Sequence, residues 1–119
     1  MPSPFSDKEK IVENSHAYAV YDGYPVSKGH ALVIPKREVA EIFDLNNEEY
    51  SSCFDLVKKV RDLLTKKYNP DGFNIGVNCG ESAGQTVFHA HIHIIPRYKD
   101  DVPNPRGGVR NIIPGKGDY

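Results

Sequence analysis

The sequence lacks the features that mark a disulfide-stapled or membrane-spanning protein. Its 119 residues include no tryptophan and only two cysteines. Cys53 and Cys79 form neither a CxxC motif nor a disulfide framework, so both are predicted to be structural. Residues 1–7 contain no apolar signal core, and no apolar run approaches the length that spans a bilayer. We therefore expect a cytoplasmic protein with no membrane partner.

An excess of charge of either sign is missing as well. The formal net charge is −1, and no dense run of lysine and arginine provides the footprint of a nucleic-acid binder. We expect no nucleic-acid partner, so any nucleotide bound here is a small molecule. No composition break or long linker divides the chain, which predicts a single domain over residues 1–119.

Histidine, in contrast, is concentrated in one short run. Three of the chain's 5 histidines occupy alternate positions, at His89, His91 and His93. Side chains of a β-strand alternate between its faces, so this spacing predicts a strand over residues 89–95 with three imidazoles on one face. The apolar residues that alternate with them are predicted to face the core: Ala90, Ile92 and Ile94.

Two kinds of chemistry fit such a stripe. Imidazole is a good zinc ligand, but the first and third histidines of a strand stand roughly 13 Å apart, whereas two ligands of one zinc lie about 3 to 4 Å apart. At most two of the three histidines can therefore share an ion. The alternative is an imidazole flanked by imidazoles, which suits a nucleophile that attacks phosphorus.

Two further strands are predicted before the histidines. Residues 17–21 are short, apolar and aromatic, and they lead into a turn signal at residues 22–25. Residues 30–34 form a second apolar run, which Pro35 closes. We expect these two strands to pair antiparallel.

A long helix is predicted in the middle of the chain. Asn46 followed by Glu49 has the spacing of a capping box, and residues 69–72 provide a helix stop near Tyr68. One or two helical turns are also expected over residues 38–43. The apolar positions at helical spacing, with Leu56 and Leu63 at their flanks, are Tyr50, Cys53, Phe54, Val57, Val60 and Leu64.

A third strand and a glycine-rich loop lead into the histidine run. Alternation over residues 73–78 predicts a strand with one buried face. The loop at residues 80–86 lacks the glycine spacing, lysine and following helix of a P-loop. It is still able to turn backbone N–H groups and the side chains of Gln85 and Thr86 toward phosphate oxygens. A plain hairpin turn explains its glycines equally well.

These runs together resemble a known family. Residues 84–97, in which histidine alternates three times with apolar residues, are similar to the signature of the histidine triad superfamily of nucleotide hydrolases and transferases. Residues 22–35 resemble another block of that family, so the resemblance covers most of residues 11–97. It implies an α+β fold with an antiparallel sheet, one long helix and one short helix. It also implies a homodimer in which two sheets join into one.

The resemblance also implies roles for the histidines. His91 would attack the α-phosphate and form a nucleotidyl-histidine intermediate that water later releases. His93 would help to hold the phosphate, while His30 and His89 would support the nucleophile from behind. The sequence leaves the division of labour among these three open.

Further substrate contacts follow from the same resemblance. Asn78 and Thr86 match positions near the phosphate and the leaving group. Asp22 matches the ribose-binding residue, although it also suits an Asp-Gly turn. Val20 and Leu32 would line the base pocket, and both are equally suitable for an ordinary core.

Departures from the family concern metal and the last part of the chain. Some relatives bind structural zinc through two cysteines and a histidine, whose positions are occupied here by Ser3, Ser6 and Glu38. We therefore expect no bound metal and no cofactor, apart from a divalent cation that accompanies a polyphosphate substrate. The irregular segment after residue 97 carries Arg106 and Arg110, and we hypothesise that one of them meets outer phosphates across a dimer.

The resemblance leaves the substrate open between two branches. Residues 84–87 and 95–97 resemble the fragile histidine triad branch, which cleaves diadenosine polyphosphates and is the reading that we favour. Asn78 and Asp22 are closer to the branch that cleaves nucleoside phosphoramidates. A nucleotide-binding module with little turnover and a metalloprotein are the remaining alternatives.

Overall fold

The protein folds as one antiparallel sheet with a long helix against it. The structure, a computed structural model, describes residues 3–119. The strands are β1 (Val12–Glu13), β2 (Ala17–Tyr21), β3 (Ala31–Pro35), β4 (Gly72–Gly76) and β5 (Ile92–Arg97), and the helix is α1 (Asn47–Tyr68). The sheet order is β1-β2-β3-β5-β4, and all neighbours are antiparallel. The α+β architecture predicted from the sequence is therefore confirmed.

Short 3-10 helices occur in two connections and in the segment that follows β5. They span Ile42–Asp44, Glu81–Ala83 and Gly108–Ile112. The first overlaps only the end of the helical turns expected over residues 38–43, and the last lies in a segment predicted to be irregular. No helix within residues 3–119 is long and apolar enough to cross a membrane.

The β2–β3 hairpin and the placement of β5 fix the face on which the histidines lie. Val20 pairs with Leu32 in the hairpin, and Leu32 in turn pairs with His93 of β5. Directly paired residues project from the same face of a sheet. His93 therefore shares a face with the apolar side chains of the hairpin.

The two faces of the sheet bury different clusters. The face toward α1 carries alanines, valines and isoleucines, among them Ala90, Ile92 and Ile94. The opposite face carries a smaller cluster, which consists of Phe5, Tyr18, Val20, Leu32 and Ile34. The predicted alternation of apolar residues and histidines is therefore present, and the histidines lie on the face away from the helix.

Two predicted strands differ in extent from those observed. Strand β5 begins at Ile92, so His89 and His91 precede it. The pairing with β3 explains this, since the ladder between the two strands starts at the Val33–Ile92 pair. Strand β4 is an edge strand and ends at Gly76. Its Ile75 pairs with Ile94 and so lies on the helix side of the sheet, but it is 41% exposed because α1 packs against β2, β3 and β5.

The capping box of α1 is present as predicted. The Asn46 side chain accepts from the Glu49 N–H at 2.9 Å, and the Glu49 carboxylate accepts from the Asn46 N–H at 2.9 Å. Arg37 also donates to Glu49, at 2.8 and 2.9 Å. Hydrogen bonding to Arg37 is the main cause that lowers the pKa of Glu49 to about 2. The start of the helix is thereby tied to the segment that follows β3.

The apolar face of α1 is rotated from the predicted one. Leu56 is fully buried at its centre, together with Cys53, Val57, Val60 and Leu64. Phe54, predicted to be part of this face, is 46% exposed. Burial of Cys53 raises the pKa of its thiol to about 11, in agreement with a structural role.

We expect replacement of Asn46 by alanine to lower the free energy of unfolding by about 1 kcal/mol, because the first turn of α1 loses its side-chain cap. Asn47, the first residue of the helix, is exposed and makes no side-chain cap. Asn47→Ala is therefore the matched control, with an expected change near zero. Urea unfolding measures both, and equal stabilities of the two variants would contradict the assigned cap.

Candidate active site

A cleft of about 470 Å³ opens on the face of the sheet opposite α1. Eight of the ten site residues predicted from the sequence line it: Asp22, His30, Leu32, Asn78, Gln85, Thr86, His91 and His93. The other two, Val20 and His89, are buried behind it. Residues that lie far apart in the sequence are therefore brought to one place by the β2–β3 hairpin and by β5.

Hydrogen bonding to a carbonyl fixes the tautomer of His91. Its Nδ1 lies 2.8 Å from the backbone oxygen of His89. A carbonyl oxygen only accepts, so Nδ1 carries the proton and Nε2 of the neutral ring keeps its lone pair. His91 is half-buried at the cleft wall. This arrangement has the form of a neutral nitrogen nucleophile.

A second chain of hydrogen bonds fixes His30 and His93. The Val26 N–H donates to Nδ1 of His30 at 3.1 Å, so the proton of neutral His30 lies on Nε2. That Nε2 is 3.0 Å from Nδ1 of His93 and donates to it. In neutral His93 the remaining proton therefore lies on Nε2. The His93 ring is also edge-on to His91, with 5.1 Å between centroids.

Asp22 places a carboxylate beside this histidine pair. Its Oδ2 is 3.4 Å from His30 Nε2 and 3.9 Å from His93 Nδ1. Its Oδ1 accepts from the Tyr24 N–H at 2.8 Å, which is the turn role considered for it. The side chain thus combines a turn with a carboxylate oxygen at the cleft.

The three groups also have the spacing of metal ligands. One donor atom each from Asp22, His30 and His93 lies within 4.8 Å of the others. The tautomers oppose such a site, because the Val26 N–H occupies Nδ1 of His30 and leaves the proton on the nitrogen that would bind the ion. The three groups therefore fit a directed chain of hydrogen bonds better than a metal site.

His89 lies behind the nucleophile in a closed hydrogen-bond arrangement. Its Nε2 donates to the Pro35 carbonyl at 2.7 Å, and its Nδ1 accepts from the Ser3 hydroxyl at 2.6 Å. The Ser3 N–H donates to Glu38 at 2.8 Å. Ser3 therefore contacts both His89 and Glu38. Ser3 and Glu38 were considered above only as replacements for zinc ligands.

Two predicted substrate contacts differ from what the structure shows. Both protons of the Gln85 amide donate to backbone carbonyls, those of Ala40 and Val87, at 2.6 and 3.1 Å. Its side chain therefore shapes the glycine-rich loop instead of offering a donor to phosphate. Val20 is fully buried in the cluster beneath the cleft. It acts as core, the other role considered for it.

One wall of the cleft could hardly be predicted from the sequence. Pro4, Phe5 and Lys8 line it, and the Phe5 ring lies edge-on to His91 with 5.0 Å between centroids. Phe5 is buried although residues 3–9 form no helix or strand. No periodicity marks such a segment, and the only signal was an aromatic residue among small and charged ones.

Arg106 and Arg110 lie away from the cleft of their own chain. Both guanidinium groups stack on the Tyr119 ring, at 5.3 and 4.8 Å from its centroid. Neither is among the residues that line the cleft. Their proposed contact with a substrate across a dimer stays a prediction.

Burial controls the protonation of the histidine pair. The pKa of His93 is lowered to about 4, mainly by burial and further by His91 and His30, while Asp22 acts in the opposite direction. Burial also lowers the pKa of His30. Both rings are therefore neutral near pH 7, as the hydrogen-bond directions require.

We expect the protein to lose stability as the pH falls from about 6.5 to about 4. In this window the unfolded chain takes up a proton at residue 93 that the folded protein resists, so acid favours unfolding. The contribution of His93 is at most about 3 kcal/mol, since one pKa unit corresponds to about 1.4 kcal/mol. Urea unfolding across this range should show a weaker pH dependence in His93→Gln than in the wild type. An equal pH dependence in His93→Gln and the wild type would contradict the role given to the buried His93.

Comparison with known proteins relates this arrangement to a family. The family model described as HIT domain matches residues 4–100. A bis(5'-adenosyl)-triphosphatase from Dictyostelium discoideum is 40% identical over 88 residues, which are 74% of this chain and 59% of that protein. A bis(5'-nucleosyl)-tetraphosphatase (asymmetrical) from Schizosaccharomyces pombe is 46% identical over 77 residues, 65% of this chain and 42% of that protein.

Solved structures agree with the fold. A crystal structure of a HIT family protein from Bacillus anthracis has a TM-score of 0.74 and 46% sequence identity, and covers 78% of this chain and 66% of that one. The chain spans about three fifths of the length of several curated relatives, including the Dictyostelium discoideum triphosphatase.

Proposed function

Because the chain belongs to the HIT family, we propose that it is a nucleotide hydrolase that cleaves the α-phosphate linkage of a dinucleoside polyphosphate through a covalent intermediate on His91. Two relatives whose names describe hydrolysis of such compounds support the substrate class. The chain spans only part of their length, so activity and substrate are proposals for this protein.

The observation that carries the proposal is the tautomer of His91. Its Nδ1–H donates to the His89 carbonyl at 2.8 Å, which directs the lone pair to Nε2. A simple nucleotide-binding site has no need for a neutral imidazole with one nitrogen held by the backbone. A nucleophile does, because its lone pair must be available and aimed.

The reaction then proceeds in two displacements. The His91 Nε2 lone pair attacks the α-phosphorus, a P–N bond forms, and the P–O bond to the remaining polyphosphate breaks. The Nε2–H of neutral His93 donates a hydrogen bond to the departing oxygen or to a phosphate oxygen, and the polyphosphate leaves as an anion. Water next attacks phosphorus, the P–N bond breaks, and a nucleoside monophosphate leaves with His91 neutral again.

The rest of the cleft supplies groups for a small-molecule nucleotide. Leu32 offers an apolar wall for the base, and the Oδ2 of Asp22 is an acceptor for ribose hydroxyls. Asn78 and Thr86 are exposed polar side chains on the same cleft, suited to phosphate oxygens. We therefore propose that the base contacts Leu32, that the ribose contacts Asp22, and that the phosphates contact Asn78 and Thr86.

We also propose a homodimer formed along β4. This strand is the edge of the sheet and leaves Ile75 exposed, so a second copy that pairs there would extend the sheet and cover that side chain. The single domain over residues 1–119 and the cytoplasmic location stay predictions from the sequence.

The proposed substrate class is tested by direct competition. Purified protein is incubated with equal amounts of a diadenosine polyphosphate and an adenosine phosphoramidate, and both are followed by chromatography. Faster loss of the dinucleotide supports the proposal. Faster loss of the phosphoramidate would assign the protein to the other branch with the same nucleophile, and tight binding of adenosine monophosphate without any product would leave only a binding module.

A further inference from the structure

The segment of residues 3–5 is tied to the histidine triad by an unusually complete set of hydrogen bonds. Ser3 is only 7% exposed although it belongs to no helix or strand. Its hydroxyl lies 2.6 Å from Nδ1 of His89 and also accepts from the Phe5 N–H at 3.3 Å. Its own N–H donates to Oε1 of Glu38 at 2.8 Å. The hydroxyl and the backbone N–H of this one residue therefore link the segment to two separate parts of the fold.

These contacts determine how His89 is held. The Pro35 carbonyl accepts from Nε2, so Nδ1 of the neutral ring can only accept, and the Ser3 hydroxyl is its donor. The ring is 4% exposed. Without Ser3, a buried nitrogen would lose its partner, which costs more than an exposed hydrogen bond.

His89 also holds the nucleophile, through its backbone carbonyl. The carbonyl of His89 accepts from Nδ1–H of His91, and this bond keeps the attacking Nε2 unprotonated. Fixing the His89 ring at both nitrogens fixes the residue whose carbonyl sets the orientation of His91. The tied segment also brings the Phe5 ring into edge contact with His91.

We infer that Ser3 and Glu38 are positioning residues for the nucleophile, which act through His89. Neither of them lines the cleft, so neither is a contact for substrate. The inference rests on the proposed role of His91, and it predicts an effect on the chemical step and not on substrate binding.

The test compares Ser3→Ala with Ser3→Thr, which keeps a hydroxyl, and with Ser6→Ala. Ser6 is the matched control, because it is an exposed serine of the same segment whose hydroxyl, among residues 3–119, bonds only the Ser3 carbonyl. With a diadenosine polyphosphate as substrate, Ser3→Ala should lower kcat by about 10- to 100-fold with KM nearly unchanged. Ser3→Thr should recover most of this loss, and Ser6→Ala should be close to the wild type.

A spectroscopic measurement separates positioning from a merely structural role. Ring nitrogen NMR shifts should report Nδ1–H on His91 in the wild type and a mixture of both tautomers in Ser3→Ala. If Ser3→Ala does not fold, Glu38→Ala against Glu38→Gln repeats the comparison, since glutamine keeps the oxygen that accepts from Ser3.

The results also distinguish this inference from the proposed function. If His91→Ala is inactive but the Ser3 and Glu38 variants keep wild-type kcat and the same tautomer, only the positioning inference is overturned. If His91→Ala remains active, the proposed function fails and the inference fails with it.

Discussion

Replacement of His91 by alanine should lower kcat by on the order of 10⁴-fold or more, because a reaction with no nucleophile must proceed by direct attack of water. KM should change little, since the phosphate contacts that we propose for Asn78 and Thr86 are kept in this variant. Steady-state kinetics with a diadenosine polyphosphate measures the loss.

The matched control is His16→Ala. His16 lies away from the cleft with a side chain that is 42% exposed, and its variant should retain wild-type kcat. Residual activity in His91→Ala within tenfold of the wild type would remove the imidazole from the mechanism.

Replacement of His93 by alanine should lower kcat by about 10²- to 10³-fold, because the variant loses the Nε2–H that the His30 hydrogen bond fixes and that stabilises charge on the phosphate in the transition state. The ring acts as a hydrogen-bond donor and not as a general acid, since its pKa is lowered to about 4 and it is neutral near pH 7. A polyphosphate needs no acid, because it leaves readily as an anion: the second pKa of a phosphate is about 6. Steady-state kinetics with a diadenosine polyphosphate measures the loss.

His93→Gln supplies the comparison that isolates the hydrogen bond. Glutamine offers a neutral N–H donor to a phosphate but is not an acid, so it should recover a large part of the kcat that is lost in His93→Ala. If His93→Gln is as slow as His93→Ala, His93 does more than donate a hydrogen bond and the role assigned to it is wrong.

Local patterns were sufficient for the elements that depend on local physics. The Asn46–Glu49 pair predicted the start of α1 because a capping box is closed within one turn. Residues 17–21 and the run before Pro35 predicted the hairpin because strand length, apolar content and turn residues are all encoded within it. Alternation also predicted the face of the histidines. An extended backbone places successive side chains on opposite faces even where, as at His89 and His91, it lies outside the hydrogen-bonded ladder.

Features set by distant partners could not be predicted in the same way. Strand β5 begins at Ile92 because its ladder with β3 starts there, which no pattern within residues 89–95 reveals. Phe54 is exposed and Leu56 is buried because the way α1 packs on the sheet determines which of its faces is covered. The positions of Ser3 and Gln85 depend on individual hydrogen bonds to residues distant in the sequence, such as Glu38 and Ala40, and such bonds leave no periodic pattern in the sequence.

The central claim is that His91 carries the nucleotidyl group during turnover. Protein mixed with excess diadenosine polyphosphate is quenched in alkali within the first turnover, since an N-phosphoryl bond to histidine is labile in acid, and its peptides are analysed by mass spectrometry. One adenylyl group should appear on the peptide that contains His91, and it should form and decay at least as fast as kcat. Turnover with no adduct, or with an adduct on another residue that forms and decays at kcat, would contradict the account.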